Sequence, residues 1–437
     1  MGRLSGLRVY IESYGCWLNR AEADVMRTLM EREGAEVVGD PALADVIILN
    51  TCAVRWDTER RMLRRAGELH WIARRRGAKL VIAGCLARVR PARLSKVAPT
   101  ASLLSPDRIE GIVDVVASPE REVRLLETNA PRRVLPEFRG GIRYVVPIQT
   151  GCVGSCAFCV GRVARPRLKS YDPASIVERV REAVARGAKE IYLTGQDVAS
   201  YGLDIGTNIV ELLEGLLSEV DGDYMVRVGM MEPSLVMRFV DGLVEAFRDE
   251  RVYKYLHVPA QSFDDRVLML MGRGYAYDDF RGLVEEFRRK IPDVTVATDL
   301  IAGFPEEDEE AFRNTLERLW EVQPDKVHVA RYTIRPFTKA AYRRQVPEAV
   351  KSVRTRALAA EAFKVTMVRN LRYLGSVADA LLSSEGYRRG SLVARLRNYR
   401  PAVLPARKGL RLGEWVRVRV VGCTPIDLRA LPLPLSP

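Results

Sequence analysis

The sequence has no apolar run longer than a β-strand; stretches such as Asp45-Val-Ile-Ile-Leu-Asn50 end after a few residues. A bilayer-crossing helix needs about 20, so none is expected. The start, Met1-Gly-Arg-Leu-Ser-Gly-Leu-Arg8, lacks the apolar core of a signal peptide. A cytoplasmic protein is the expectation. Histidine is scarce, at His70, His257 and His328, so imidazole has few places in which to act as ligand or base. Seven cysteines are an odd number, ill-suited to a disulfide framework in a cytosolic chain. Metal or redox chemistry becomes the leading reading. There is no internal repeat and no low-complexity segment.

What is present is ordinary in bulk and uneven in detail. At 437 residues, 47% hydrophobic and 29% charged, the chain is globular rather than disordered, collagen-like or coiled-coil. About 150 residues per domain implies three domains. The net charge is +13, and nearly all of the excess lies beyond Lys351. A basic terminal module on a near-neutral body points to a polyanion bound by one part while another does something else. A merely solvated basic face is the alternative.

Residues 7–126 alternate short strands (Leu7-Arg-Val-Tyr-Ile11, Val46–Leu49, Lys79-Leu-Val-Ile-Ala83) with amphipathic helices at 20–33 and 57–76. That pattern predicts a parallel sheet with helices on its faces. Residues 127–141 carry Pro and Gly without periodicity and read as a linker. From Ile142 six strand-plus-helix units follow, with strands at 144–149, 190–194, 224–230, 253–257, 294–300 and 326–332. Helices are expected at 173–187, 208–220, 234–249, 264–290 (broken around Gly272-Arg-Gly274), 307–322 and 346–370. Six units are two short of a full barrel, so a partial (βα)6 barrel is expected, with a doubly wound sheet as the alternative. Beyond residue 370, short runs at 376–382, 391–397, 402–404 and 415–421 predict a small β-barrel. In Trp415-Val-Arg-Val-Arg-Val-Val421 one face is apolar and the other cationic. The expected fold class is therefore α/β, with domains 1–130, a linker 131–141, 142–370 and 371–437.

The strongest chemical signal is Gly151-Cys152-Val-Gly-Ser-Cys156-Ala-Phe158-Cys159, a C-x3-C-x2-C run just past the first strand of the six-unit region. Three thiolates so close can share an iron–sulfur cluster with one iron left open, at the strand-end mouth where barrel active sites form. A closed zinc site would want a fourth ligand, and no histidine lies nearby. Three further cysteines, Cys16, Cys52 and Cys85, are 36 and 33 residues apart, too far for a local motif. Each follows a predicted strand, so a parallel sheet could bring them to one edge. Three buried structural cysteines are the alternative.

The C-x3-C-x2-C run, with an aromatic before its last Cys, resembles the radical S-adenosylmethionine (SAM) superfamily. Tyr14-Gly15-Cys16, Asn50-Thr-Cys52-Ala-Val-Arg55 and Ala83-Gly-Cys85-Leu86, ahead of that core and a basic barrel, resemble the methylthiotransferases within it. The likeness runs from about residue 7 to 430. It implies that Cys152, Cys156 and Cys159 hold a [4Fe–4S] cluster whose open iron takes SAM, and that Cys16, Cys52 and Cys85 hold a second, auxiliary [4Fe–4S] cluster. It implies a radical made by reductive SAM cleavage, sulfur methylated by another SAM, and a small RNA-binding barrel, the TRAM domain, at the end. Arg162-Val-Ala-Arg165-Pro-Arg-Leu168-Lys-Ser170-Tyr171 is similar to a stretch of the archaeal and eukaryotic branch acting on N6-threonylcarbamoyladenosine in tRNA, with Pro166 in place of Gly. Phe158, Gly195, Gln196, Asp197, Glu232, His257, Gln261, Asp299 and Ile301 match the strand-end motifs that the resemblance places near SAM. Blandly, each could be a satisfied polar or turn residue at a barrel rim. Arg335-Pro336-Phe337-Thr338-Lys339-Ala340 departs from the family, with Phe337 where relatives usually carry Gly.

The expectation is a tRNA methylthiotransferase that modifies C2 of that adenosine beside the anticodon, at position 37, fed by an external electron donor and working as a monomer. The alternatives are a radical SAM methylthiotransferase acting on a ribosomal-protein aspartate and a non-catalytic iron–sulfur RNA-binding sensor. Tyr387, Tyr399 and Trp415 are the barrel's candidate base-stacking aromatics, Trp415 being the one expected in the core. Arg60, Arg61, Arg64, Arg65, Arg74, Arg75 and Arg76 make helix 57–76 a second basic element.

Overall fold

In the computed structural model, residues 2–433 are described. Met1 and residues 434–437, the outer ends of the first and last expected domains, lie outside them. Six strands, β1 (Arg8–Ser13), β2 (Glu36–Val38), β3 (Val46–Thr51), β4 (Lys79–Gly84), β5 (Ser102–Leu104) and β6 (Val123–Arg124), form one parallel sheet in the order β2-β1-β3-β4-β5-β6. Every residue of β3 is buried, as a parallel strand covered on both faces must be. Helices Trp17–Arg32 and Trp56–Arg76 pack on the sheet. Strand order reverses between β1 and β3, and an open parallel sheet forms its binding crevice beyond the carboxyl ends at such a point. Three strands of two or three residues, β2, β5 and β6, carry too little pattern to be read from sequence.

Six more parallel strands follow: β7 (Arg143–Pro147), β8 (Glu190–Thr194), β9 (Met225–Val228), β10 (Tyr255–His257), β11 (Thr295–Ala302) and β12 (Lys326–Arg331). They form two three-stranded groups, β9-β8-β7 and β10-β11-β12, joined by a bridge between Val226 and Val252. Order follows sequence throughout, which is a partial barrel and not the doubly wound alternative. Among the described residues β7 and β12 do not pair, so the barrel is open along β12, whose residues alternate toward solvent. Aspartate and asparagine caps start the outer helices: Asp172 before Pro173–Ala185, Asn208 before Ile209–Glu219 and Asp308 before Glu309–Val322 each accept from a backbone N–H of the first turn. The expected helix 234–249 is two helices, Pro233–Arg238 and Val240–Arg248. The break near Gly272 is real: Gly272 ends Asp265–Met271 at φ +73°.

The segment 127–141 has no regular structure but is tied down. Arg32 donates to Glu137 at 2.8 Å and Arg139 pairs with Glu31 at 2.6 Å, while Leu135 and Phe138 are buried. Helix Glu348–Leu371 then leads into a closed antiparallel-dominated barrel of β13 (Val377–Glu385), β14 (Ser391–Leu396), β15 (Pro401–Pro405), β16 (Trp415–Cys423) and β17 (Leu428–Pro432). Along β16, Val416, Val418 and Val420 are buried while Arg417 and Arg419 are exposed.

This terminal barrel is docked on the central one, not tethered to it. Tyr399, at φ +66°, is buried against Tyr192, Tyr253 and Tyr255, and its hydroxyl lies 2.6 Å from that of Tyr192. Trp415 donates to Asp223 at 3.0 Å. Tyr399 and Trp415 therefore belong to an interdomain contact, and of the three candidate stacking aromatics only Tyr387 is fully exposed. Asp325, with a fully buried side chain, accepts from Arg369 at 2.6 Å, from Val296 N at 2.9 Å and from Arg400, and lies 3.6 Å from Arg288. No helix is long and apolar enough to cross a membrane among the described residues.

Removing one partner of a buried charge network strands the rest. Asp325→Ala should cost about 3–5 kcal/mol of stability, read as a fall in the denaturant midpoint for unfolding. A midpoint unchanged from the parent would show that the terminal barrel does not depend on this network.

Candidate functional site

Two sets of three cysteines sit at the carboxyl ends of the two sheets. In the first sheet Cys16 caps helix Trp17–Arg32, Cys52 directly follows β3 and Cys85 opens helix Cys85–Val89 after β4. Glycine makes the approach possible: a Cβ on Gly15 (φ +107°) would stand 2.8 Å from Cys52 Cβ and 3.1 Å from its Sγ. Asn19 ties the edge together, donating to Tyr14 O at 2.9 Å and Thr51 O at 2.8 Å, with its own Oδ1 3.7 Å from Cys85 Sγ. Cys16 is exposed whereas Cys52 and Cys85 are buried. Burial, opposed by Arg165, pushes the Cys85 thiol up to about 12, and burial also raises Cys52. Metal coordination deprotonates such thiols outright.

In the second set Cys152 and its neighbours occupy the loop beyond β7. A Cβ on Gly154 would lie 3.3 Å from Cys152 Sγ and 4.0 Å from Cys156 Sγ, so these two sulfurs converge over that glycine. Gly154 N donates to Cys152 Sγ at 3.2 Å and Arg273 Nη1 to Cys156 Sγ at 3.1 Å. Cys159 lies beside Gln196, since a Cβ on Gly161 would be 3.2 Å from Cys159 Sγ and 3.1 Å from Gln196 Nε2. Burial lifts Cys152 to about 12 and Asp197, whose Oδ2 is 3.7 Å from Cys152 Sγ, to about 6. Sulfurs around a single zinc would stand ~3.8 Å apart for Zn–S bonds of about 2.3 Å. Among the described residues, the set whose three ligand atoms lie within 4.8 Å of one another is His257, Asp299 and His328, and neither cysteine triad is so tight. That spacing disfavours one shared ion.

The remaining sequence-derived residues divide. Gly195 gives room for Gln149, which a Cβ there would meet at 2.8 Å. Both side-chain polar atoms of Gln196 are buried without a partner, an orphaned donor and acceptor pair beside Cys159. Buried polar groups are nearly always satisfied, so a ligand with donor and acceptor groups of its own fits here. Asp197 Oδ1 accepts from Glu232 N at 2.9 Å. The Glu232 carboxylate is engaged already, pairing with Arg273 at 3.1 Å and capping helix Pro233–Arg238. Phe158 packs edge-on to Phe304, with Ile301 beside it. Gln261 holds φ +74° and its N–H donates to Asp299 O at 2.7 Å. His257 and Asp299 face each other at 3.1 Å, and the other Asp299 oxygen meets His328 at 2.8 Å.

Sequence reading missed the groups that join the two sets. Arg165, with its side chain almost fully buried, forms a two-pronged pair with Glu22 (2.6 Å for one prong), and donates to Asn19 Oδ1 at 2.8 Å, Thr150 Oγ1 at 3.1 Å and Cys85 Sγ at 3.6 Å. Thr150 lies two residues before Cys152, so one guanidinium contacts the surroundings of both sets. The signal was available: Asn19 and Glu22 are polar residues at i, i+3 on the otherwise apolar face of Leu18, Ala21, Val25 and Met26. The departing loop makes a second bridge. Arg335 donates to Ala53 O at 2.6 Å and pairs with buried Glu59 at 2.5 Å. Phe337 stands at φ +61°, a conformation for which glycine is the default. Trp17, adjacent to Cys16, makes a third contact, edge-on to Tyr192 at 5.4 Å.

Comparison with known proteins bears on these features. Residues 146–319 match the model of the Radical SAM superfamily, residues 8–105 that of Uncharacterized protein family UPF0004, and residues 371–433 that of the TRAM domain. A protein of Pyrococcus abyssi named probable threonylcarbamoyladenosine tRNA methylthiotransferase is 39% identical over 91% of this chain and 94% of its own. A Danio rerio protein named threonylcarbamoyladenosine tRNA methylthiotransferase is 31% identical over 98% of this chain and 79% of its own. Among solved structures, the radical S-adenosylmethionine methyltransferase TsrM of Kitasatospora setae, with cobalamin and a [4Fe-4S] cluster bound, shares the fold at a TM-score of 0.59 and 15% identity, over 78% of this chain and 74% of its own.

A Cβ at Gly151 (φ +82°) would fall 1.8 Å from the carbonyl oxygen of Arg167, a clash that only backbone movement can relieve. Gly151→Ala should displace the Cys152 loop and leave the first cysteine set intact. If each triad holds one cluster, iron per chain after anaerobic reconstitution drops by about half. Full iron content in this variant would mean that the loop geometry is not needed for metal.

Proposed function

The chain belongs to the threonylcarbamoyladenosine tRNA methylthiotransferases, a radical SAM family, and from that membership we propose how its residues divide the work. It is a methylthiotransferase that acts on tRNA and uses a [4Fe–4S] cluster and SAM. Our reading of the reaction is transfer of a methylthio group to C2 of N6-threonylcarbamoyladenosine at position 37. One observation carries it: two cysteine triads at neighbouring strand-end edges, with Arg165 touching the surroundings of both.

In this reading residues 1–130 present the auxiliary set Cys16, Cys52 and Cys85, residues 142–370 present Cys152, Cys156 and Cys159, and residues 371–437 grip RNA, with 131–141 as the tie between the first two. The donor sets suit [4Fe–4S] clusters, three thiols each and a ligand place left open. When bound, cluster and SAM together supply a one-electron cleavage of SAM, and hence a radical able to remove hydrogen from a carbon with no acidic proton. The chain's own part is placement. Gln196 offers its unpartnered donor and acceptor to the amino-acid end of SAM, with Gly195, Asp197 and Glu232 shaping that mouth. Phe158, Gln261 and Ile301 line its other side, and His257 and Asp299 lie deeper. Arg165 and Glu22 keep the two sets at fixed separation and exclude water between them. Both sets are completed within one chain, which supports a monomer. Electrons from an external donor and residence in the cytoplasm with tRNA complete the proposal.

The exposed arginines of the terminal barrel suit phosphate contacts. Deleting the barrel would uncover Tyr192, Tyr253 and Tyr255, so charge removal is the cleaner test. Converting Arg388, Arg389, Arg417 and Arg419 together to Gln should flatten the slope of log affinity against log salt by up to about 3. An unchanged slope would move the RNA site onto the body.

Two cysteine variants separate the roles of the sets. Cys156→Ala should abolish SAM cleavage and product alike. Cys16→Ala should still cleave SAM, measured as 5′-deoxyadenosine, yet yield no 2-methylthio nucleoside by mass spectrometry of digested tRNA. Full methylthiolation by Cys16→Ala would remove the first set from the reaction. A methylthiolated protein in place of the nucleoside would favour the protein-substrate alternative.

A further inference from the structure

Below the cysteine mouth, strand register stacks a second layer of side chains. Tyr192 lies opposite Arg227, Ala297 lies between His257 and Lys326, and Asp299 lies opposite His328. The terminal barrel adds Tyr399 and Arg395. Together Tyr255, Lys326, His328, Arg395 and Tyr399 line a cavity of about 470 Å³ along the open edge of the central barrel, a size in the usual ~300–1,000 Å³ range for small-molecule sites.

The charges in this layer do not balance. Two carboxylates line the cavity and both are committed, Asp325 to Arg369 and Arg400 and Asp427 to Arg429 at 3.2 Å; beside it Asp299 has both oxygens committed, to His257 at 3.1 Å and His328 at 2.8 Å. Burial alone would raise its carboxyl, but the two imidazoles outweigh burial and hold it well below the usual range. Three cations have no carboxylate partner among the described residues. Arg227 stands 5.1–5.3 Å from the ring centres of Tyr192, Tyr255 and Tyr399, with Nε buried and unbonded. Arg395 lies 4.5 Å from the Tyr399 ring, its Nε likewise buried and unbonded, and makes one hydrogen bond, to Tyr399 O at 3.3 Å. Lys326 opens into the cavity; burial, then Arg395 and Arg227, pull its ammonium down to about 8 against the influence of Asp299. Like charges brought close together repel, and unpartnered guanidinium nitrogens are costly to bury. An anion entering the cavity relieves both.

We propose that Lys326 and Arg395, backed by the positive charge of Arg227 behind Tyr255 and Tyr399, bind the carboxylate of the substrate's threonylcarbamoyl group, and thereby select this adenosine against the same nucleoside with a neutral or absent N6 substituent. The inference rests on the substrate reading given above. A threonine joined through its nitrogen to a carbamoyl group keeps its carboxylate free and ionised at neutral pH. Guanidinium groups match a carboxylate in planar, two-pronged geometry. The tyrosine walls suit a base and its side chain. His257 and His328 stand edge to face at 5.6 Å beside this cluster.

The test uses reconstituted enzyme and two anticodon stem-loops that differ only in carrying N6-threonylcarbamoyladenosine or unmodified adenosine at position 37. Fluorescence anisotropy should show the parent enzyme preferring the modified RNA by about tenfold, the worth of a charge-assisted contact. Lys326→Met and Arg395→Met should each erode that preference, and together abolish it, while unmodified RNA binds as before. Lys326→Arg should restore most of it. Lys326 has no ion-pair partner to lose, so its variants test the cavity without unsettling the fold. A preference retained in the double variant overturns the proposal. Equal weakening for both RNAs with a shallower salt slope also overturns it, as the mark of a phosphate site. In the same experiment, parent enzyme that gives no 2-methylthio product from the modified RNA would refute the substrate reading itself, a failure distinct from the other two.

Discussion

The buried pair of Arg165 and Glu22 is the contact on which the rest of the arrangement turns. Its two charges come from different sheets, Glu22 from a helix beside the first and Arg165 from the loop after β7. Both side chains are almost entirely shielded from water. A buried ion pair adds little net stability over a well-packed apolar pair, because desolvation offsets attraction. What it does impose is position, since either charge without the other would be far more costly. Asn19, Thr150 and Cys85 share the same guanidinium, so the pair fixes the two cysteine sets relative to each other in one geometry. Arg335 with Glu59 repeats the same logic at a second point of the seam, and Trp17 edge-on to Tyr192 adds an aromatic contact at a third.

The fold was legible where burial imposes a simple pattern. The apolar run Val46–Leu49 predicts a covered strand, which the structure extends to Thr51, and the expected strand 190–194 has the limits of β8. Short strands at the sheet edges escaped because two or three residues carry no period. The helix expected at 234–249 breaks at Phe239, between two stretches that share one apolar rhythm, so periodicity could not reveal the interruption. Tyr399 shows a different limit. In sequence it is an aromatic among arginines and looks like a platform for bases, but its destination is set by another domain that local pattern does not encode.

The site was legible in its ligands and not in its scaffolding. Six cysteines could be grouped because their strand-end positions and their resemblance to a known family agree. Asn19 and Glu22 show in sequence only as polar residues on an apolar helix face, and Arg165, Arg273 and Arg335 only as motif or turn residues; the joining role of each stays hidden because its partner is more than 30 residues away. Of the two expected departures from the family pattern, Pro166 and Phe337, the second has a conformational meaning. Phe337 occupies a left-handed backbone position, which places strain in a loop whose neighbour Arg335 anchors the seam.

The docking of Tyr399 and Arg395 into the side of the central barrel changes what the terminal domain is. A tethered RNA-binding module can be exchanged between enzymes by recombination, since its partner needs only a linker of suitable length. Here the small barrel is also masonry: it completes the wall of a chamber whose other walls belong to a different domain. The two must therefore be inherited and altered together, and a chimera that swaps in a foreign terminal barrel would bind RNA well enough yet face it with an unfinished room.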